Sequence, residues 1–300
     1  LKRLFRSFFE LLRPSFKSCR ICGKVVAETM REGMPGYTSY ARFVSAMLCR
    51  ECCSSIPWIE AGQICCHACG RSIPCNDCIR LPTSELIRNR SAVRYDDGMK
   101  ELLAQLKYRG DEAVASLLEA LMCPAFEHMT SELYRLYCTH KNLAKYHPRE
   151  LMQLLQRGGP NQAAYVWDAL TYVPVSSQRA EERGFNQAQL LAEGLAVRYG
   201  LPAIELLNRI RDTPKQSFQS RKARFQNTEA LFTPAPDAAH LLNQLSLKRN
   251  RQQSTPTNST IRILIVDDIY TTGSTLRACA KSLSGTVIPV EVYSLAWARG

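Results

Sequence analysis

The chain has 300 residues, of which 45% are apolar, with 39 Lys and Arg against 27 Asp and Glu. That is enough apolar material for a normal core, in one large domain or one domain plus a smaller module, and it excludes a disordered chain. No run approaches the about 18 apolar residues of a membrane span, and no uninterrupted apolar segment with a small-residue cleavage site marks secretion. The formal charge of +12 favours polyanionic partners. Basic residues crowd at the N-terminus, from Arg209 to Arg224, and at Lys248, Arg249 and Arg251. Any one of these clusters taken alone reads equally well as solvated surface.

The first twelve residues place Leu1, Leu4, Phe5, Phe8, Leu11 and Leu12 on one helical face, with Lys2, Arg3 and Arg6 between them. This predicts an amphipathic helix over 1–18 that packs on a neighbouring module. The same pattern suits a lipid surface, so peripheral membrane contact stays open.

Ten of the thirteen cysteines lie between Cys19 and Cys78. They form four C-x2-C pairs, Cys19/Cys22, Cys49/Cys52, Cys66/Cys69 and Cys75/Cys78. A two-residue gap turns two thiolates back onto one tetrahedral ion, and two such knuckles complete a four-cysteine zinc site. Pairing in chain order gives two zinc sites over 19–82, with a crossed pairing left open. Gly23 and Gly70 follow second cysteines, where a knuckle calls for positive φ. Cys53 and Cys65 neighbour the ligands and are able to replace one; His67 reads as a bystander. A disulfide framework needs an oxidising compartment, and nothing here targets one. Four thiolates leave no open position, so these zinc ions are structural. Cys123, Cys138 and Cys279 read as small apolar core residues.

Met99, Leu102, Leu103 and Leu106 form a helical stripe that runs into Lys107-Tyr108-Arg109-Gly110. Lys107 is placed either to reach an anion or to face solvent. A second helix spans Glu112 to about Met122, and residues 123–165, helical and then loop-like in pattern, read as an insertion without chemistry. Ala169 to Val175 reads as a strand, followed by a polar loop from Ser176 to Gln187 and a helix from Ala188 to Tyr199. Arg179 and Arg183 in that loop suit an anionic group such as a pyrophosphate, although a loop whose arginines meet only water has the same appearance. A short strand near Ile204–Leu207, a basic stretch to Phe232 and a polar, flexible loop over 234–260 follow.

Ile263-Leu264-Ile265-Val266 reads as a strand buried on both faces of a parallel sheet. Asp267 and Asp268 come where it should end. Thr271-Thr272-Gly273-Ser274-Thr275 then lead into a helix from Leu276 to Leu283. Such a turn offers hydroxyls and N–H groups to a phosphate, and the carboxylates suit ribose hydroxyls or a divalent cation held through water. Together they propose a sugar-phosphate ligand. A last strand spans Val287 to Tyr293, and the alternation of elements predicts an α/β fold.

Ile263 to Thr275 resembles the phosphoribosyl-pyrophosphate (PRPP) motif of type I phosphoribosyltransferases. The whole order resembles the ComF family: cysteine knuckles, Lys107-Tyr108-Arg109-Gly110, Val173-Pro174-Val175, Arg183-Gly184-Phe185-Asn186-Gln187, Thr213-x2-Gln216, Arg224-x2-Asn227, and Val266-Asp267-Asp268 with Thr271 to Thr275. The resemblance implies a type I phosphoribosyltransferase-like parallel sheet flanked by helices over 90–300, with a small zinc-ribbon-like module before it. It implies that Thr271, Thr272, Gly273, Ser274 and Thr275 cradle the 5′-phosphate of PRPP. Asp267 and Asp268 would be the catalytic carboxylates, holding ribose hydroxyls and, indirectly, Mg²⁺. Arg179, Arg183 and Lys107 would face the pyrophosphate. It further implies a cytoplasmic or membrane-peripheral protein of natural competence, acting with single-stranded DNA and other competence proteins. Phe218, Arg221, Arg224 and Phe225 are the candidate strand-binding residues. Two functions are compatible with this: a PRPP-consuming transferase, or a non-enzymatic competence factor in which PRPP is a regulatory ligand.

Overall fold

A computed structural model describes residues 18–26, 44, 46–80, 85–109, 112–140, 160–210, 231–252 and 260–300. The N-terminal helix expected over 1–18 lies outside them, except for Ser18, as do the basic stretch 211–230 with Phe218, Arg221, Arg224 and Phe225, and 253–259. The chain divides into two compact units, Leu1–Ile56 and Pro57–Gly300.

In the first unit one short helix, α1 (Arg50–Ser54), follows Cys49. In the second, α2 (Asn76–Arg80) follows Cys75 and leads toward β1 (Leu86–Arg94). The rest alternates: α3 (Asp97–Arg109), α4 (Glu112–His140), α5 (Pro160–Val166), β2 (Ala169–Tyr172), α6 (Ser177–Arg183), α7 (Gln187–Tyr199), β3 (Leu207–Arg209), β4 (Phe232–Pro234), α8 (Ala238–Gln252), β5 (Ile261–Tyr270), α9 (Ser274–Ser284) and β6 (Val290–Arg299). The main sheet has the order β1-β6-β5-β2 and every pairing is parallel. β3 and β4 pair antiparallel as a separate ribbon.

β5 forms because Ile261, Ile263, Leu264, Ile265 and Val266 are all fully buried between helix layers. Each such side chain contributes about 1.5–3 kcal/mol on burial, which fixes this strand at the centre. Trp167 and Trp297 fill the largest buried positions, and Trp167 meets Tyr293 edge-on at 5.3 Å while its indole N–H donates to Thr130 Oγ1 (2.8 Å). α4 does not stop near Met122. It runs on through Pro124, and Phe126, Met129 and Leu133 bury its second half in the core.

The segment 234–260 is not a flexible loop throughout. Its middle is α8, because Ala238, Leu242 and Leu245 recur on one helical face and are buried. Asn243, Gln244 and Lys248 on the helix face outward, and Arg249 pairs with the half-buried Asp168; the polar run 253–259 lies outside the described residues. β1 has no counterpart in the sequence reading. Its residues Arg88, Asn89, Arg90 and Ser91 break the apolar pattern of a parallel strand, yet Asn89, Arg90 and Ser91 are buried. They are tolerated because each finds partners: Arg88 and Arg90 pair with Glu132 of α4 (2.7 and 3.1 Å), and Asn89 binds Ser294 and Cys69.

Candidate functional site

β5 extends four residues beyond its neighbour on one side. β2 ends at Tyr172, opposite Val266, whereas β5 continues through Asp267 and Asp268 to Tyr270, paired with β6 as far as Arg299. The carboxylates therefore belong to the projecting end of the strand and not to a loop after it. They line a crevice at the carboxyl ends of the parallel strands, where open α/β sheets bind ligands.

Asp267 is half-buried and accepts from the Asp268 backbone N–H (2.9 Å). Burial, and then the charge of Asp268, push its carboxyl well above the usual range, against the pull of that N–H, Lys107 and Arg209. Asp268 forms an ion pair with Lys107, from the last turn of α3. The Lys107 ammonium faces the carboxylates and is only 19% exposed, so it is not a solvent-facing side chain.

Behind Asp268 the turn closes tightly. Gly273 has φ +77°, and a Cβ there would stand 2.2 Å from the Tyr270 hydroxyl. Glycine is thus required twice, by backbone conformation and by space. The Thr272 and Ser274 hydroxyls lie 3.1 Å apart, and Ser274 opens α9 at its N-terminus. The positive end of an eleven-residue helix faces the crevice beside two hydroxyls.

The segment Ser176–Arg183 is a helix, α6, rather than a loop. Ser176 caps it by accepting from the Arg179 N–H (3.4 Å), and Gly184 ends it. Asn186 then does two things. Its carboxamide oxygen caps α7 at Ala188 N–H (3.0 Å) and its NH2 donates to Val173 O (3.0 Å), pinning the α6–α7 junction to the end of β2. Arg183 donates to the buried Gln187 (3.0 Å) and lies 6.0 Å from the ring centre of Tyr108. The structure thus brings Lys107, Arg183, Asp267, Asp268 and the Thr271–Thr275 turn to one edge of the sheet. Among the described residues nothing engages the Arg179 guanidinium, and its side chain is not tied to the cluster. Sequence reasoning missed Tyr270 and Tyr108 as parts of this edge; both lie inside quoted motifs, which was the available signal.

The cysteines gather into two tetrads, Cys19/Cys22/Cys49/Cys52 and Cys66/Cys69/Cys75/Cys78, each with all sulfurs within 4.8 Å. This is the pairing in chain order. Cys22 and Cys49 sulfurs stand 3.6 Å apart, close to the about 3.8 Å edge of a tetrahedron with 2.3 Å Zn–S bonds. Gly23 and Gly70 both take φ +74°. Burial raises the Cys19 thiol, but N–H groups of Cys22, Cys49 and Ile21 outweigh it and bring the pKa down to about 6. Cys75 comes down to about 7 in the same way, burial being outweighed by the Cys78 N–H and neighbouring groups. Burial and adjacent sulfurs push Cys52 and Cys78 up. Four sulfurs gathered within 4.8 Å of one another, on knuckles closed by positive-φ glycines, are a donor set that fits zinc. Cys53 is buried outside the tetrads, Cys65 donates to Ser72 O (3.1 Å), and His67 contributes only its carbonyl, to Arg90. Cys123 and Cys279 are buried in the core; the Cys138 side chain lies outside the described residues.

The tetrads belong to different units. The second is built into the sheet: Asn89 N–H donates to Ala68 O (2.7 Å), Asn89 Nδ2 to Cys69 O (3.1 Å), and Arg299 of β6 to the same carbonyl. Among the described residues no helix is long and apolar enough to cross a membrane.

No protein-family profile matches the chain. Two curated relatives do. The chain is 30% identical over 259 residues to "Competence protein ComFC" of Bacillus subtilis, covering 83% of each chain. It is 31% identical over 131 residues to "Competence protein F" of Haemophilus influenzae, covering 43% of this chain and 50% of that one.

Proposed function

The chain belongs to the ComF family, and from that premise we propose that it binds PRPP with Mg²⁺ at the projecting end of β5, as a phosphoribosyltransferase-class protein of the competence machinery. One observation carries this reading. Adjacent carboxylates, a hydroxyl-rich turn with a required glycine, a helix N-terminus and two cationic side chains from separate elements converge on a single sheet edge.

Each part matches a part of the ligand. The Thr271–Thr275 turn takes the 5′-phosphate, using hydroxyls and the end of α9. Asp267 and Asp268 accept from the ribose hydroxyls, which requires Asp268 to part from Lys107. The freed ammonium and Arg183 then face the pyrophosphate, and Arg179 extends that surface from α6. The two carboxylates fit Mg²⁺ held through water, and the bound ion would supply charge neutralisation to the pyrophosphate. For a transferase the reaction is displacement at the anomeric carbon. The chain's contribution is to position the ribose and stabilise the departing anion.

A second reading, that PRPP is a signal and not a substrate, is favoured by the Lys107–Asp268 pair. Ligand entry breaks a contact between α3 and β5, so occupancy is transmitted to α3 whether or not chemistry follows. The discriminating experiment offers PRPP, Mg²⁺ and a panel of nucleobases and measures pyrophosphate release, with calorimetric PRPP binding in parallel. Release with any base supports the transferase. Binding without release supports the signal. No binding overturns both.

Work in competence, with single-stranded DNA and partner proteins and in the cytoplasm or at the membrane surface, is supported by family membership and the net charge of +12. DNA affinity that falls steeply with salt would fit a phosphate-tracking surface.

A further inference from the structure

The crevice and the second cysteine tetrad are joined by a short buried chain of contacts. Tyr270, the last residue of β5, is 3% exposed. Its hydroxyl fills the space beneath Gly273, so the phenol acts as a wedge under the turn. The Arg299 guanidinium lies 4.7 Å over the Tyr270 ring. The same guanidinium donates to Cys69 O and stands 3.6 Å from Cys69 Sγ. From the other side Arg277, in the first turn of α9, reaches Cys78 Sγ (3.5 Å) while its backbone N–H donates to Gly273 O (2.9 Å).

Resting on the PRPP reading above, we propose that Tyr270 is a positioning residue for the phosphate turn, and that zinc in the second tetrad holds it there through Arg299 and Arg277. Charge and geometry give the reason. Four thiolates around Zn²⁺ carry a net charge of −2, and two guanidiniums supply +2. The ion holds the four sulfurs at one point, and with them the Cys69 carbonyl and the Cys69 and Cys78 sulfurs that the two arginines engage. When the ion leaves, that fixed point is lost and the two knuckles are free to separate. Arg299 and Arg277 then lose the groups that aim them. The Tyr270 ring loses the cation on its face, and the turn loses both its wedge and the Arg277 anchor. The zinc is thereby more than a staple for the knuckles, since it sets the turn that takes the phosphate.

The test uses the full-length chain carrying Cys22→Ser and Cys49→Ser, so that zinc extraction acts on the second tetrad. Amide exchange at Thr271–Thr275 is followed without ligand, and PRPP–Mg²⁺ affinity by calorimetry. Chelation is expected to speed exchange in the turn about tenfold while β2 and α7 change little, and to weaken PRPP about tenfold. Tyr270→Leu is expected to do the same with zinc still bound. Turn exchange that ignores chelation, or that rises no more than in β2 and α7, overturns the link; so does a Tyr270→Leu chain with wild-type exchange in the turn. Should the cysteine variant fail to fold, stepwise stripping of wild type gives the same comparison at the loss of the second zinc equivalent. A protein that never binds PRPP removes the ligand assignment, while the exchange arms still decide the zinc-to-turn connection.

Discussion

Lys107 and Asp268 form an ion pair across the gap between α3 and the projecting end of β5. Both side chains are about one-fifth exposed, so the pair is neither solvated surface nor sealed core. Its companion Asp267 takes the consequences, lying between a like charge and the lysine that tempers it.

The raised carboxyl of Asp267 makes the ligand-free protein pH-sensitive in a definite direction. Its folded-state value lies above the unfolded value of about 4, so the folded chain holds the proton more tightly. Stability from this group is full below about pH 4 and is lost as pH rises through the folded value. Asp267→Asn is expected to flatten that fall and raise the Tm at pH 7, measured by thermal melts across pH. The same substitution is expected to abolish stabilisation by PRPP–Mg²⁺; an unchanged ligand shift would remove Asp267 from the site.

Gly273→Ala places a Cβ against the Tyr270 hydroxyl and a side chain at positive φ. The expected cost is about 1–3 kcal/mol, read from urea midpoints, with PRPP binding lost. Gly62→Ala is the control, since a Cβ there meets nothing within 4 Å and its φ is not positive.

Asp168 is largely withdrawn from water, which raises its carboxyl, and it is held by Arg249 and by the Arg262 N–H (2.7 Å). Arg249→Met leaves that carboxylate without its cation and is expected to cost about 3–5 kcal/mol. The double change Asp168→Leu with Arg249→Met is expected to recover much of this. Additive losses in the cycle would show that the pair is not coupled.

Elemental analysis is expected to find two zinc ions per chain, falling to one in Cys22→Ser/Cys49→Ser. Asn89→Leu removes the amide that donates to Cys69 O and the oxygen that accepts from Ser294. It is expected to cost about 1–3 kcal/mol and to loosen the second zinc alone, seen as faster transfer of one equivalent to a chelator.

The sequence made the sheet's centre legible because Ile263 to Val266 form an unbroken apolar run that is fully buried, and the crevice legible because motif residues there are local in the chain. The helix α8 was hidden by composition: its apolar face is narrow and its polar residues dominate any window. β1 was hidden by partners. Nothing near Arg88 or Arg90 announces Glu132, and nothing near Asn89 announces Ser294, 205 residues away. The same holds for Tyr270 and Arg299. Arg299 is 230 residues from Cys69, and no window spans that distance.

The strand order has a consequence for how the molecule is made. Among the described residues β1 has one strand partner, β6, the last of the described strands in chain order, while Trp58 and Ala68, which precede β1, bond its other edge. During translation the edge of β1 that β6 will take therefore stays open while α3 to α9 are still to come, the state in which strands recruit wrong partners. The arginines and asparagine that made it hard to recognise suit that interval. They keep the waiting strand soluble, and they become buried only when β6, Glu132 and the zinc knuckle are there to receive them.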